Sequence, residues 1–151
     1  MRAVIQRVSQ ARVRAGGRIT GEIGRGLVVF VGVSRDDGEA DVRFTVGKIR
    51  DIRIFESAEG RLNDRSVADV GGSILLVSQF TLYGDVRRGR RPSFDEAAPP
   101  ERARQLYENL VRELRATAIP VATGEFQASM DVELVNDGPV TILLDSRRRD
   151  G

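Results

Sequence analysis

Leu27-Val28-Val29-Phe30-Val31-Gly32-Val33 runs for seven residues without a polar side chain. A short unbroken apolar run of this kind reads as a strand at the centre of a sheet, buried on both faces. Working outward, Ser73 to Phe80, introduced by Gly71-Gly72, reads as a second buried strand. Arg2 to Val8 and Ala11 to Ala15 read as two further strands, the latter alternating Ala11, Val13 and Ala15 against Arg12 and Arg14, with Gly16-Gly17 turning into Ile19 to Ile23. Val42, Val46 and Ile49 fall at helical spacing and predict a helix over Glu39 to Asp51, followed by a strand from Asp51 to Phe55. The clearest helix carries Ala103, Leu106, Tyr107, Leu110, Val111 and Leu114 on one stripe, with Pro99-Pro100 at its start and Pro120 beyond its end. Asp131 to Val135 and Val140 to Asp145 read as a closing hairpin-like pair, Asp137-Gly138 forming the turn and Pro139 opening the second strand. Together these elements predict a mixed α/β fold, a single domain of mostly antiparallel or mixed β-sheet with two main helices on one side, spanning residues 1–145. Residues 146–151 read as a flexible basic tail, and its Arg147-Arg148-Arg149 as a solvated terminus.

With 151 residues, 40% hydrophobic and 30% charged, the chain has the make-up of a soluble globular domain. No apolar run reaches membrane-spanning length, and the start, MRAVIQRV, is broken by Arg2, Gln6 and Arg7, so it lacks the apolar centre of a secretory signal. A cytoplasmic protein is expected. There is no cysteine and no histidine. This excludes disulfides, thiolate nucleophiles, Cys/His zinc sites and every Ser-His or Cys-His catalytic pair, and it removes the side chain that titrates near neutrality. No metal or cofactor is expected. Acid-base chemistry has to come from a perturbed carboxylate, the backbone, water or the substrate. All 24 basic residues but Lys48 are arginine, yet the net charge is only +2, too small to indicate nucleic-acid binding by itself. The cluster Arg87, Arg88, Arg90 and Arg91 lies in the long connection Gly84 to Pro99, which begins where a buried strand ends. A connection of that length reads as a ligand-facing loop.

Ser78-Gln79-Phe80-Thr81 sits at the same strand end, where side chains and free N–H groups commonly meet a ligand. Ser78-Gln79-Phe80-Thr81-Leu82, then Arg91-Pro92-Ser93-Phe94, then Asn136-Asp137-Gly138-Pro139-Val140-Thr141 closely resembles the D-aminoacyl-tRNA deacylases, formerly called D-tyrosyl-tRNA deacylases. The resemblance extends through Ile5-Gln6-Arg7-Val8, Thr20-Gly21-Glu22-Ile23-Gly24 and Leu134-Val135-Asn136, essentially the whole chain up to Asp145.

What the resemblance implies is a homodimer that hydrolyses the ester joining a D-amino acid to the 3′-terminal adenosine of tRNA, and that also acts on glycine mischarged onto alanine tRNA. It implies that Gly138-Pro139 is a cis peptide inserted into the active site of the partner subunit, where main-chain carbonyls leave no room for an L side chain. Arg7 is implied to brace that segment; an exposed strand arginine is the alternative. Phe126 and Met130 are implied to line the pocket, with core packing the alternative for both. Gln79, Phe80 and Thr81 are implied as the catalytic group, the N–H groups around Phe80 and Thr81 holding the oxyanion. Ser78 joins them in binding substrate, and the loop arginines meet acceptor-end phosphates.

Thr81 is also the obvious nucleophile, but no histidine is present to activate it, and Asp85 could act as base only with a pKa shifted upward. The tRNA 2′-hydroxyl beside the scissile ester supplies the other route, by orienting or activating water. A non-catalytic module that holds RNA 3′ ends, and a general small-ester hydrolase, are the competing classes.

Overall fold

A computed structural model describes residues 1–148 of the chain. The apolar run at 27–33 becomes β3 (Gly26–Gly32). It lies between β1 (Arg2–Ala15), antiparallel to it, and β4 (Ser73–Ser78), parallel to it. β5 (Val121–Thr123) pairs parallel with β4, while β2 (Arg18–Ile23) and β6 (Met130–Asp145) both pair antiparallel with β1. Parallel neighbours require crossover connections, and the helices supply them: α1 (Glu39–Asp51) lies between β3 and β4, and α2 (Pro100–Arg115) between β4 and β5. The result is a mixed sheet with two helices packed to one side.

β3 and β4 read as unbroken apolar runs because both of their faces are covered. Leu27, Val29, Val31, Ile74 and Leu76 face the helices, joining Val42, Val46 and Ile49 of α1 and Leu106, Leu110 and Leu114 of α2. Val28, Leu75 and Val77 point the other way, into a second core with Val8, Ala11, Val13 and Ile23. β1 serves both cores: Ala3 and Ile5 belong to the first, Val8 onward to the second. The switch coincides with register shifts against β6 on either side of Val8, where the strand bends and folds its second half, with β2 and the first half of β6, across the sheet.

Both helices lie where their periodicity predicts them, α2 opening at Pro100. Three expectations need correction. The strand from Asp51 to Phe55 does not form: α1 runs to Asp51, and Phe55 makes only an isolated bridge with Arg65. Arg2–Val8 and Ala11–Ala15 are one bent strand, not two. Nor is there a closing hairpin, since Asp131–Val135 and Val140–Asp145 are halves of the single strand β6, both paired with β1, and Asp137-Gly138 makes an outward excursion instead of reversing the chain. β5, only three residues long, was not anticipated.

The chain ends are joined by a buried polar cluster. The Met1 amine donates to Asp37 Oδ1 and to Ser146 Oγ, each at 2.7 Å, and Ser146 Oγ donates onward to Asp41 Oδ1 at 2.7 Å. Asp37 Oδ2 accepts the Ser34 N–H at 2.7 Å, so both carboxylate oxygens are engaged. The expected flexible tail is therefore tied down at its first residue: Ser146 is buried, and Arg147 bonds to Ser34 Oγ and Asp36. Arg149, Asp150 and Gly151 lie outside the described residues. Removing one partner of a buried ion pair strands the other charge, so Asp37→Ala is expected to lower unfolding free energy by about 3–5 kcal/mol in urea titrations. A loss below about 1 kcal/mol, the range of an exposed pair, would refute this role.

Candidate active site

β4 is held in register with β3 to its last residue, and the Gln79 N–H still bonds to Val31 O at 2.7 Å. Beyond that point the chain tightens into a 3₁₀ turn, Phe80–Tyr83, closed by Leu82 N–H to Gln79 O at 3.2 Å. The first N–H groups of such a turn have no carbonyl behind them to bond. Those of Phe80 and Thr81 accordingly have no partner among the described residues. Gln79 Nε2 donates to Thr81 Oγ1. Neither end of an amide is a base, so this contact orients the hydroxyl and does not activate it.

A cleft of about 640 Å³ opens beside the turn, between the end of β4, the start of α2 and residues 126–132. Ser78, Gln79, Phe80, Phe126 and Met130 all line it, and the loop after Gly84 adds Phe94. Phe80 remains 57% exposed and Phe94 37%, with ring centroids 5.2 Å apart edge to face. Phe126 packs 5.7 Å from Tyr107, whose hydroxyl donates to Leu76 O at 3.2 Å; burial pushes Tyr107 up to about 12, so it stays a neutral donor. On the outer side Arg104 lies 4.7 Å over the Phe126 ring and donates to Gln127 Oε1 at 3.1 Å. Gln127 itself has φ +62°, a conformation non-glycine residues seldom adopt. Arg104 thus fixes this cleft wall from α2, a role hidden in sequence on the polar face of a helix.

The loop from Gly84 to Pro99 is not structureless. Asp85 and Ser93 exchange backbone bonds at 2.7 and 2.9 Å, pinching Val86 to Pro92 into an outward excursion, and Arg35 N–H and Ala98 N–H tie its base to Glu96 O and Val33 O. Arg87 grips Asp85 with Nε at 2.9 Å and Nη2 at 2.7 Å. These charge-assisted bonds pull the Asp85 carboxyl down to about 2, opposite to the upward shift a general base would need. Asp85 is therefore a loop fastener. Arg88, Arg90 and Arg91 are exposed and make no ion pair among the described residues.

Gly138-Pro139 is elsewhere. Both residues are exposed, neither lines the chain's own cleft, and their peptide bond is cis. Arg7 reaches them from β1: Nε donates to Asp137 O at 3.0 Å and Nη1 to Ile54 O at 2.6 Å, with Asp137 Oδ2 3.7 Å from Nε. Gly138 has φ +132°, and a Cβ there would stand 2.9 Å from both Arg7 Nη2 and Val140 Cγ2, so both conformation and space call for glycine. Sequence reading quoted Phe94 and Asn136 within motifs but gave neither a role. An aromatic in a loop of arginines was the available signal for Phe94; nothing local marks Asn136.

The family profile described as D-Tyr-tRNA(Tyr) deacylase matches residues 4–145. The chain is 58% identical over 148 residues to the D-aminoacyl-tRNA deacylase of Symbiobacterium thermophilum, covering 98% of this chain and 97% of that one. It is 60% identical over 148 residues to that of Anaeromyxobacter dehalogenans, covering 98% and 99%. Among solved structures it is similar to one described as c-Myc DNA Unwinding Element Binding Protein, with TM-score 0.92 and 42% identity over 96% of this chain and 98% of the other. It shares its fold with a probable eukaryotic D-amino acid tRNA deacylase, with TM-score 0.79 and 21% identity over 95% and 97%. A profile match over nearly the whole chain and relatives this similar place it without ambiguity: the chain belongs to the D-Tyr-tRNA(Tyr) deacylase family and is a hydrolase of the D-aminoacyl-tRNA deacylase class.

Proposed function

We propose that the cleft beside Phe80 and Thr81 takes the 3′-terminal aminoacyl-adenosine of charged tRNA and cleaves its ester only when the amino acid is of the D form or is glycine. The observation that carries this reading is the pair of N–H groups, unpartnered among the described residues, on Phe80, which lines the apolar cleft, and on Thr81, which follows it in the turn. Donors fixed in direction before the substrate arrives stabilise a developing oxyanion without reorganisation. Gln79, Thr81 and Ser78 position the ester, and Phe126 and Met130 bound the pocket. The chain offers no histidine, cysteine or raised carboxylate here, so the substrate's own 2′-hydroxyl orients the attacking water. Thr81 is a positioning group in this scheme, because its hydroxyl neighbour is an amide.

Handedness is judged by main-chain atoms of a second copy. In this reading the second copy's Gly138-Pro139 enters the cleft and its carbonyls occupy the volume an L side chain needs; a D side chain points away, and glycine, including glycine mischarged onto alanine tRNA, passes. Three features support insertion. Gly138-Pro139 projects from the surface, its own cleft lacks such a wall, and β6 exposes Val135 at 47% and Leu143 at 78% on either side of it. Apolar side chains that open on a strand face fit coverage by another copy. Arg88, Arg90 and Arg91 hold acceptor-end phosphates, and Arg87 orders their loop. No helix among the described residues is long and apolar enough to cross a membrane. Charged tRNA as substrate supports a cytoplasmic enzyme in this reading.

Matched D-, L- and glycyl-tRNA are expected to give turnover of the first and third only; equal rates for both hands would end this reading. Thr81→Ala is expected to cost about tenfold or less in kcat. A tRNA ending in 2′-deoxyadenosine should lose about a hundredfold or more, the scale of general-base assistance. The reverse pattern would make Thr81 the nucleophile. Phosphate contacts carry no sequence information, so Arg88→Ala should weaken every tRNA alike and lower the slope of log affinity against log salt by about one. Binding indifferent to salt would remove the loop from the interface.

A further inference from the structure

Opposite Arg7, β6 leaves the ladder. Gln6 pairs with Thr141 and Val8 with Asn136, so Asp137 to Val140 oppose one residue of β1. A bulge of that size frees backbone groups that must find other partners. Asn136 supplies one: its Oδ1 accepts the Val140 N–H at 2.8 Å, across the base of the excursion. A backbone N–H can only donate, so this bond identifies the oxygen end of the amide and leaves Nδ2 facing Thr141 Oγ1 at 3.1 Å. Gln6 Nε2 meets the same hydroxyl oxygen at 3.1 Å from β1. The excursion is therefore held at two points: Arg7 grips its first carbonyl, that of Asp137, and Asn136 grips its last N–H, that of Val140. Gly138-Pro139 lies between these anchors and is exposed.

We propose that Asn136 is a specificity-determining positioning residue: its side chain closes the bulge, fixes the angle at which Gly138-Pro139 leaves the sheet, and thereby sets how sharply L-aminoacyl esters are rejected. This rests on the reading that Gly138-Pro139 forms the stereochemical wall. Exclusion tolerates little play, because a wall that can retreat by a fraction of a methyl radius admits the group it should refuse. Without Asn136 the Val140 N–H loses its acceptor, and the excursion loses the bond that closes its base.

The test compares Asn136→Ala, which removes both bonds, with Asn136→Asp, which keeps an oxygen toward Val140 and loses only the donor to Thr141. The readouts are the ratio of kcat/KM for D- over L-aminoacyl-tRNA of one amino acid, and hydrogen exchange at the Val140 amide. For Asn136→Ala the ratio is expected to fall by about tenfold and the amide to exchange faster by about the same factor, the weight of one hydrogen bond. For Asn136→Asp both should stay within about threefold of the parent, since the closing bond survives. Faster exchange in Asn136→Ala with an unchanged ratio overturns the proposal while leaving the wall intact as an idea. A parent enzyme indifferent to hand, or a ratio untouched by Gly138→Ala, defeats the wall itself. Should Asn136→Ala not fold, Asn136→Leu carries the test by keeping the side chain's bulk while removing the oxygen that accepts the Val140 N–H, and an unaltered ratio there overturns the proposal.

Discussion

One arginine faces four residues. Where β1 and β6 run side by side, Arg7 alone opposes Asp137 to Val140, and its guanidinium fills the gap that this mismatch leaves. Much of the molecule follows from that imbalance. Register is lost at the point where β1 turns from the helix-side core toward the second core, so the break in pairing and the bend of the strand occur together. The same guanidinium reaches Ile54 O, linking the end of α1's connection to the excursion. A lysine ammonium would have to meet both carbonyls from a single nitrogen, whereas the planar fork reaches them from two separate nitrogens at fixed angles.

The helices and central strands were legible because their signals are local. A 3.6-residue stripe and an unbroken apolar run need no knowledge of the partner. The hairpin expected at Asp137-Gly138 fails for the opposite reason: Asn-Asp-Gly-Pro has turn chemistry, but the partner of both flanking halves is β1, at the other end of the chain. The pairing is non-local, and the backbone groups a turn would have satisfied are met instead by Asn136 and Arg7. Asp51–Phe55 is apolar enough for a strand, yet α1 takes Asp51 as its last residue and leaves Ile52 to Ile54 outside any ladder. β5 has three residues and a parallel neighbour, too little to leave a pattern.

For the site, sequence reading gathered the strand-end residues through family likeness, and Ser78, Gln79, Phe80, Phe126 and Met130 do share one cleft. The likeness could not foresee how the arginines divide. Arg87 and Arg91 have the same residue type and the same loop, but only Arg87 has a carboxylate two residues behind it. Pairing with a neighbour decides which cation is available, and pairing is a property of the folded loop. Composition was informative through what it lacks. Without histidine or cysteine, and with Asp85 held ionised, the polar groups beside Thr81 are amides, hydroxyls and peptide N–H groups, none of which carries a proton across neutral pH.

β6 has a further consequence for solubility. Among the described residues only one of its long edges is paired, and a straight ribbon of sixteen residues with an open side is the kind of template on which polypeptides polymerise. The kink at its centre divides that ribbon into two short pieces that do not share a plane, and a proline there withholds a donor that any incoming strand would need. The feature that breaks the regular ladder thereby also guards against runaway fibre growth.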